Sequence, residues 1–315
     1  KPDILAPGKY LVSAGAEPLV TGNCDDGSGE MPGLGQSSPG LMSMAGTSMA
    51  TPALSGTAAL VRQYLEEGWY KNGTKGSGDG VKPSGALVKA ILMNGAQWMK
   101  GAENGKITKS DVAEYDENQG FGRVSLINSI YILNKTKMQM SFFENSVNDG
   151  EENTYNVTID KSAGCPYTEF RATLVWTEPG SQSGCKFCLI NDLDLQVTKT
   201  GENNTVAATY HPNGLSGRDK TNNAERIIVE NAEDKENFIV TVSGTNLESD
   251  EQSYALVLTG CFGGSSIDPD SLGGPDAFED DTSGDDRRKY ILIGVGAGVA
   301  AILLCILCVC CMKKK

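Results

Sequence analysis

From Thr47 to Val61 the chain carries no charged side chain, and Met49, Ala50, Ala53, Leu54, Ala58, Ala59, Leu60 and Val61 spread small or apolar groups over every face of a helix drawn through the run. Such a pattern belongs to a helix buried all round, so the fold must enclose one. Arg62 is the first charge after it. Pro52 suits the first turn, where a missing N–H costs little, and this places the helix start near Ser48. A serine there has unpaired backbone N–H groups and the positive end of the helix dipole beside it, where a developing oxyanion would be stabilised. Ser48, within Gly46-Thr47-Ser48-Met49-Ala50-Thr51-Pro52, is therefore the candidate nucleophile.

This heptapeptide resembles the serine signature of the subtilisin-like peptidases, and the resemblance extends to both sides. Upstream, Lys1-Pro2-Asp3-Ile4-Leu5-Ala6-Pro7-Gly8 is similar to the strand and turn that lead to that family's serine. Downstream, Leu87-Val88-Lys89-Ala90-Ile91-Leu92-Met93-Asn94-Gly95-Ala96 and Gly120-Phe121-Gly122-Arg123-Val124 resemble its last helix and closing segment. The resemblance implies an α/β catalytic domain, a parallel sheet with packed helices, of which residues 1–137 are the C-terminal portion. It implies a serine endopeptidase acting on polypeptides through an acyl-enzyme on Ser48, with no cofactor required. It also implies an Asp, a His and an oxyanion-hole Asn placed before the serine, and none of those blocks is in this sequence. With Lys1 as its first residue the chain reads as part of a longer protein, inactive alone. The alternative is a non-catalytic, membrane-tethered binding protein with an incomplete peptidase domain.

The single histidine, His211, lies in Tyr210-His211-Pro212-Asn213-Gly214, which reads as a turn. Ser48, Asp192 or Asp194, and His211 do stand in the chain order of an α/β-hydrolase triad. Consecutive short strands around the last two oppose it, because that fold alternates strands with helices.

Ser84 as cap and Gly95 as stop bracket an amphipathic helix. From about Met138 the period becomes two, as in Tyr155, Val157, Ile159; Phe170, Ala172, Leu174, Trp176; Leu193, Leu195, Val197; Phe238, Val240, Val242; and Tyr254, Leu256, Leu258. Residues 138–262 are thus expected to form a β-sandwich or jelly roll. The segments Leu174-Val175-Trp176-Thr177, Asn191-Asp192-Leu193-Asp194-Leu195 and Arg218 to Glu225 resemble the jelly-roll domains attached to some subtilisin-like enzymes. Asp192 and Asp194, two apart on a strand, share one face and are weak calcium candidates together with Asn191 or Asp219. Cys165, Cys185, Cys188 and Cys261 allow three disulfide connectivities, and Cys24 is the odd one out.

Tyr290 to Met312 is free of charge and, at about 1.5 Å per residue, long enough to cross a hydrocarbon core of about 30 Å as a single transmembrane helix. Residues 263–289 before it, rich in Asp, Gly and Pro, read as a flexible acidic stalk, and 313–315 as a short basic tail. Basic residues flank the span equally, so sequons at Asn72, Asn134, Asn156 and Asn203 decide the topology, type I with the catalytic part extracellular or luminal. Gly294 and Gly298 form a G-x-x-x-G pair suited to dimerisation. The balance of 27 basic against 40 acidic residues, a net charge of −13, excludes nucleic acid as a partner.

Overall fold

The computed structural model describes residues 1–14, 41–99, 115, 118–186, 188–202 and 205–263. Two compact units divide the chain, Lys1–Lys9 with Gly46–Ala277, and Tyr10–Ala45 with Phe278–Lys315. Within the second unit, β1 (Leu11–Ala14) pairs antiparallel with β2 (Leu41–Met44), Ser13 facing Met42. The stalk, Tyr290–Met312 with Gly294 and Gly298, Cys24 and Asn203 lie outside the described residues. Among the described residues no helix is long and apolar enough to cross a membrane.

The first unit begins with the expected helix, α1 (Thr47–Glu66). The expectation that it is buried all round needs correction. Ser48, Thr51, Pro52, Ser55, Gly56 and Ala59 are exposed, Leu60 is 50% exposed, and burial begins only at Val61. The reason is that the described residues supply neighbours to one side of its first turns, chiefly Ile4, Leu5 and Ala6 beside Ala50 and Leu54. Further along, Tyr64 donates its hydroxyl to the Tyr131 carbonyl at 2.8 Å and fastens the buried end of α1 to the chain entering the β region.

The second helix, α2 (Gly85–Asn94), starts where Ser84 Oγ accepts the Leu87 N–H at 3.0 Å and stops at Gly95, as its sequence predicts. It is not amphipathic in use, because Leu87, Val88 and Ala90 through Asn94 are all buried. What covers it is a sheet of the following domain. The parallel sheet expected of the first part does not form among the described residues, where that part contributes the isolated parallel bridge Leu5↔Arg123, with bonds from the Leu5 N–H to the Gly122 carbonyl (2.9 Å) and from the Val124 N–H to the Leu5 carbonyl (2.8 Å).

Eight strands follow: β3 (Gln139–Asn148), β4 (Glu152–Thr158), β5 (Phe170–Trp176), β6 (Asn191–Thr200), β7 (Val206–Tyr210), β8 (Ala224–Val229), β9 (Asn237–Leu247) and β10 (Glu251–Gly260). They form two antiparallel four-stranded sheets, ordered β3-β10-β5-β8 and β4-β9-β6-β7. Apart from the β6–β7 hairpin, successive strands go to alternate sheets, which is the jelly-roll form of a β-sandwich. Between the sheets lie Tyr155, Val157, Phe170, Leu174, Trp176, Leu195, Phe238, Val240 and Leu256. The outer face of the first sheet is also apolar, with Val175, Ala224, Ala255 and Val257 packed in one cluster with Leu87, Ile91 and Leu92 of α2. Strand β5 is consequently buried at every residue. Its period of two separates two cores, instead of a core from solvent.

Polar contacts fix how α2 meets this sheet. The last carbonyls of a helix have no partner within it. Here Arg171 Nη1 donates to the carbonyls of Asn94 (2.9 Å) and Ala96 (3.3 Å), and Arg226 Nη1 to those of Met93 (2.9 Å) and Ala96 (3.3 Å). The Asn94 side chain donates to Thr259 Oγ1 and accepts from Thr173 Oγ1, both at 2.9 Å. Arg171 is paired with Glu169 at 2.6 Å, and Arg226 lies 5.0 Å from the centre of the Phe121 ring. Two buried cations at the negative end of α2 also complement its dipole.

Replacing Arg226 with Met should cost about 3 kcal/mol, because it strips donors from buried carbonyls. In urea titrations of the chain, helical circular dichroism and Trp176 fluorescence should shift to a lower midpoint together. Loss of the helical signal well before the Trp176 signal would show that the sandwich does not share its stability with α2.

Candidate active site

Ser48 is the second residue of α1, exposed, behind the cap residue Gly46. Gly46 holds φ 152° and ψ 172°, a conformation essentially restricted to glycine. Its N–H donates to the Gly8 carbonyl at 2.7 Å, and its own carbonyl accepts the N–H groups of Met49 (3.1 Å) and Ala50 (3.3 Å). Gly8 has no room for a side chain, since a Cβ there would lie 2.8 Å from the Gly46 carbonyl oxygen and 3.1 Å from the Ala50 Cβ. The pair of glycines lets the extended segment Pro2–Gly8 run directly against the start of α1. A groove of about 370 Å³ lies between them, lined by Leu5, Ala6, Gly46, Thr47, Ala50 and Leu54 among others.

Among the described residues the Ser48 N–H meets no acceptor and Ser48 Oγ makes no hydrogen bond. The first turn of α1 holds no acidic side chain. A free N–H at the positive end of a twenty-residue helix suits a developing negative charge beside Ser48 Oγ. The arrangement can therefore hold an oxyanion, but no described group is placed to take the hydroxyl proton. Gly8 and Gly46 are the site residues that a reading centred on the nucleophile passes over; a glycine ending one matching block and another opening the next was the available signal.

The other sequence candidates lie apart from Ser48 in the chemistry they make. His211 precedes a short 3₁₀ turn, Pro212–Gly214, as its sequence suggested, and among the described residues no hydrogen bond joins it to Ser48, Asp192 or Asp194. Asp192 and Asp194 do share a face of β6, where Arg218 pairs with both, Nη2 to Asp192 at 2.9 Å and Nε to Asp194 at 2.5 Å. Thr245 donates to the same Asp194 oxygen. Asp219 is spent on its own turn, accepting from the backbone of Thr221 and Asn222 and from the side chains of Asn213 and Asn222. Glu225, fully buried, accepts the Leu195 N–H at 2.6 Å. One oxygen each of Asp192, Asp194 and Glu225 is buried without a hydrogen bond, which is donor chemistry suited to a hard cation. The geometry does not fit one, because Arg218 already occupies the paired carboxylates and no three acidic side chains among the described residues converge to hold a metal. Of the glycosylation candidates, Asn72, Asn134 and Asn156 are exposed.

Burial is the main reason the Glu225 carboxyl is held well above its ordinary range; the Leu195 N–H works against this, and Asp194, Asp219 and Asp192 add to it. A carboxyl raised in the folded state contributes stability that is whole below its unfolded pKa and is lost as pH rises through the folded one. Urea midpoints at pH 5 and pH 8 should therefore fall with pH in the parent chain and fall less in Glu225→Gln. Identical pH dependence in the two would contradict the buried neutral acid.

Residues 1–122 match the model of the subtilase family of peptidases. The Dictyostelium discoideum serine protease/ABC transporter B family protein tagD is 32% identical over 304 residues, covering 82% of this chain and 16% of that protein. Its relative tagB is 31% identical over 298 residues, covering 82% of this chain and 15% of that protein. This chain thus spans about one-sixth of the length of the curated relatives it matches. Among solved structures, the Yersinia pseudotuberculosis-derived mitogen aligns with 45% of this chain and 92% of its own at 14% identity, with a TM-score of 0.25, too slight a likeness to bear on the fold. Over residues 1–122, this chain belongs to the subtilase family.

Proposed function

We propose that this chain carries the nucleophile of a subtilase-type serine endopeptidase, with Ser48 forming the acyl-enzyme. The observation that carries the reading is the place of Ser48 at the start of a long helix with its N–H free of any described acceptor, inside the segment that matches the family. Ser48 Oγ attacks the peptide carbonyl carbon, and the Ser48 N–H receives the oxyanion as the tetrahedral species forms. The hydroxyl proton passes to a histidine, oriented by an aspartate, and an asparagine gives the second oxyanion donor; all three are assigned to a segment outside these 315 residues. Collapse expels the amine with that proton, and water hydrolyses the acyl-enzyme. Thr47, Met49 and Pro52 shape the turn and take no chemical part.

The jelly roll is assigned a supporting role, since its arginines hold the end of α2. Membrane attachment as a type I protein through Tyr290–Met312 belongs to the same proposal, resting on the charge-free span in the sequence and on three exposed sequon asparagines. Polypeptides are the substrates in this reading.

In the complete protein, Ser48→Ala should remove peptide hydrolysis, on the order of a million-fold in kcat as when a catalytic triad loses a member. Its circular dichroism should be unchanged, and His211→Ala should leave turnover within about twofold, the size expected of a residue outside the chemistry. Turnover surviving in Ser48→Ala would exclude the proposal, and loss of turnover in His211→Ala would favour the rival triad.

A further inference from the structure

The two disulfides among the described residues differ in span and in surroundings. Cys165–Cys261 closes a sequence separation of 96, Cys261 is 1% exposed, and Cys165, half-buried, packs on the edge of the sandwich core. Cys185–Cys188 closes a separation of only 3, in the loop from Trp176 to Asn191, where Cys188 is exposed and Cys185 half-buried. A cross-link that closes so short a segment removes little freedom from the unfolded chain, and its contribution to stability is correspondingly small.

The loop is held without it. Trp176 Nε1 donates to Glu178 Oε1 (2.5 Å) and to the Asn191 carbonyl (3.0 Å). Glu178 Oε2 in turn accepts the N–H groups of Ile190 (2.8 Å) and Asn191 (3.3 Å), and Leu189 packs on the core. These contacts clamp the base of the loop and leave its tip, Ser181 to Gly184, exposed. The tip carries features that favour a thiolate. Ser181 Oγ lies 3.4 Å from Cys185 Sγ, near enough for its hydroxyl to donate to a charged sulfur, and Lys186, exposed, adds a positive charge next in sequence.

We propose that Cys185–Cys188 is a thiol–disulfide exchange site, open to small thiols and to dithiol proteins while the sandwich stays folded. An external thiolate attacks Sγ of Cys188, the more exposed of the two residues. The bond to Cys185 Sγ breaks, and its electron pair leaves on Cys185, beside the Ser181 hydroxyl. A second thiol then attacks the external sulfur of the mixed disulfide and releases Cys188. In sum one protein disulfide and two thiols give one protein dithiol and one external disulfide, the two protons passing from the thiols to the cysteines.

The test uses the folded full chain, reduced glutathione under non-denaturing conditions, timed alkylation and mass spectrometry of both cysteine pairs. Cys185 and Cys188 should be reduced at least about a hundredfold faster than Cys165 and Cys261, whose opening needs local unfolding, with the β-sheet circular dichroism unchanged. Ser181→Ala should slow the exchange about threefold at Cys185–Cys188 alone, by removing a donor to the leaving thiolate. Equal rates at the two disulfides, or loss of the sandwich signal as Cys185–Cys188 opens, would overturn the proposal. So would an unchanged rate in Ser181→Ala, for the part given to that hydroxyl.

Discussion

Two arginines from the β-sandwich, Arg171 and Arg226, close the C-terminal end of α2, and the rest of the structure depends on that closure. Burying the end of a helix exposes its last carbonyls to an apolar environment, where each unmet acceptor is costly. Solving this with donors from β5 and β8 ties the subtilase segment to the sandwich through hydrogen bonds that neither part could satisfy alone. Apolar packing of Leu87, Ile91 and Leu92 on Val175, Ala255 and Val257 then makes the outer of the two cores common to both parts that the sequence divides. The same helix leads, through Gln97 and its bridge to Arg123, to the Leu5 strand segment, and from there through Gly8 to the cap of α1 and Ser48. Arginine side chains thus join the jelly roll to α2, and backbone contacts carry the path on from Gln97 to the start of α1.

Much of this was legible in the residues. The period of two placed the strands around Trp176, Leu195, Val240 and Leu256 correctly, because alternation records which side chains enter the space between the sheets. Ser84 and Gly95 marked the ends of α2 through local capping chemistry, which needs no tertiary knowledge. The coverings of faces were not legible. The helix α2 looked amphipathic and is enclosed, since a hidden outer sheet face receives it. The helix α1 looked enclosed and, among the described residues, is covered on one side only over its first half. Composition reports whether a face tolerates burial, not which partner arrives.

At the site itself, the sequence singled out Ser48 by its helix start, but it could not show the close approach of Gly8 to Gly46 that sets the start in place. Nor could it show that Arg218 lies between Asp192 and Asp194. Spacing alone made those carboxylates a face for a hard cation; a long side chain from a distant loop filled it, and no rule of local periodicity anticipates such an arrival. The disulfides were open among three pairings for the same reason, and the fold chose the one that separates a core cross-link from a surface one.

The central claim, that Ser48 is a nucleophile prepared by the start of α1, is tested most directly by treating the complete protein with a fluorophosphonate and mapping the adduct by mass spectrometry. A single phosphonyl group on Ser48 is the result this account predicts. An unmodified Ser48, in protein shown to be folded, or an adduct on another serine, would contradict it.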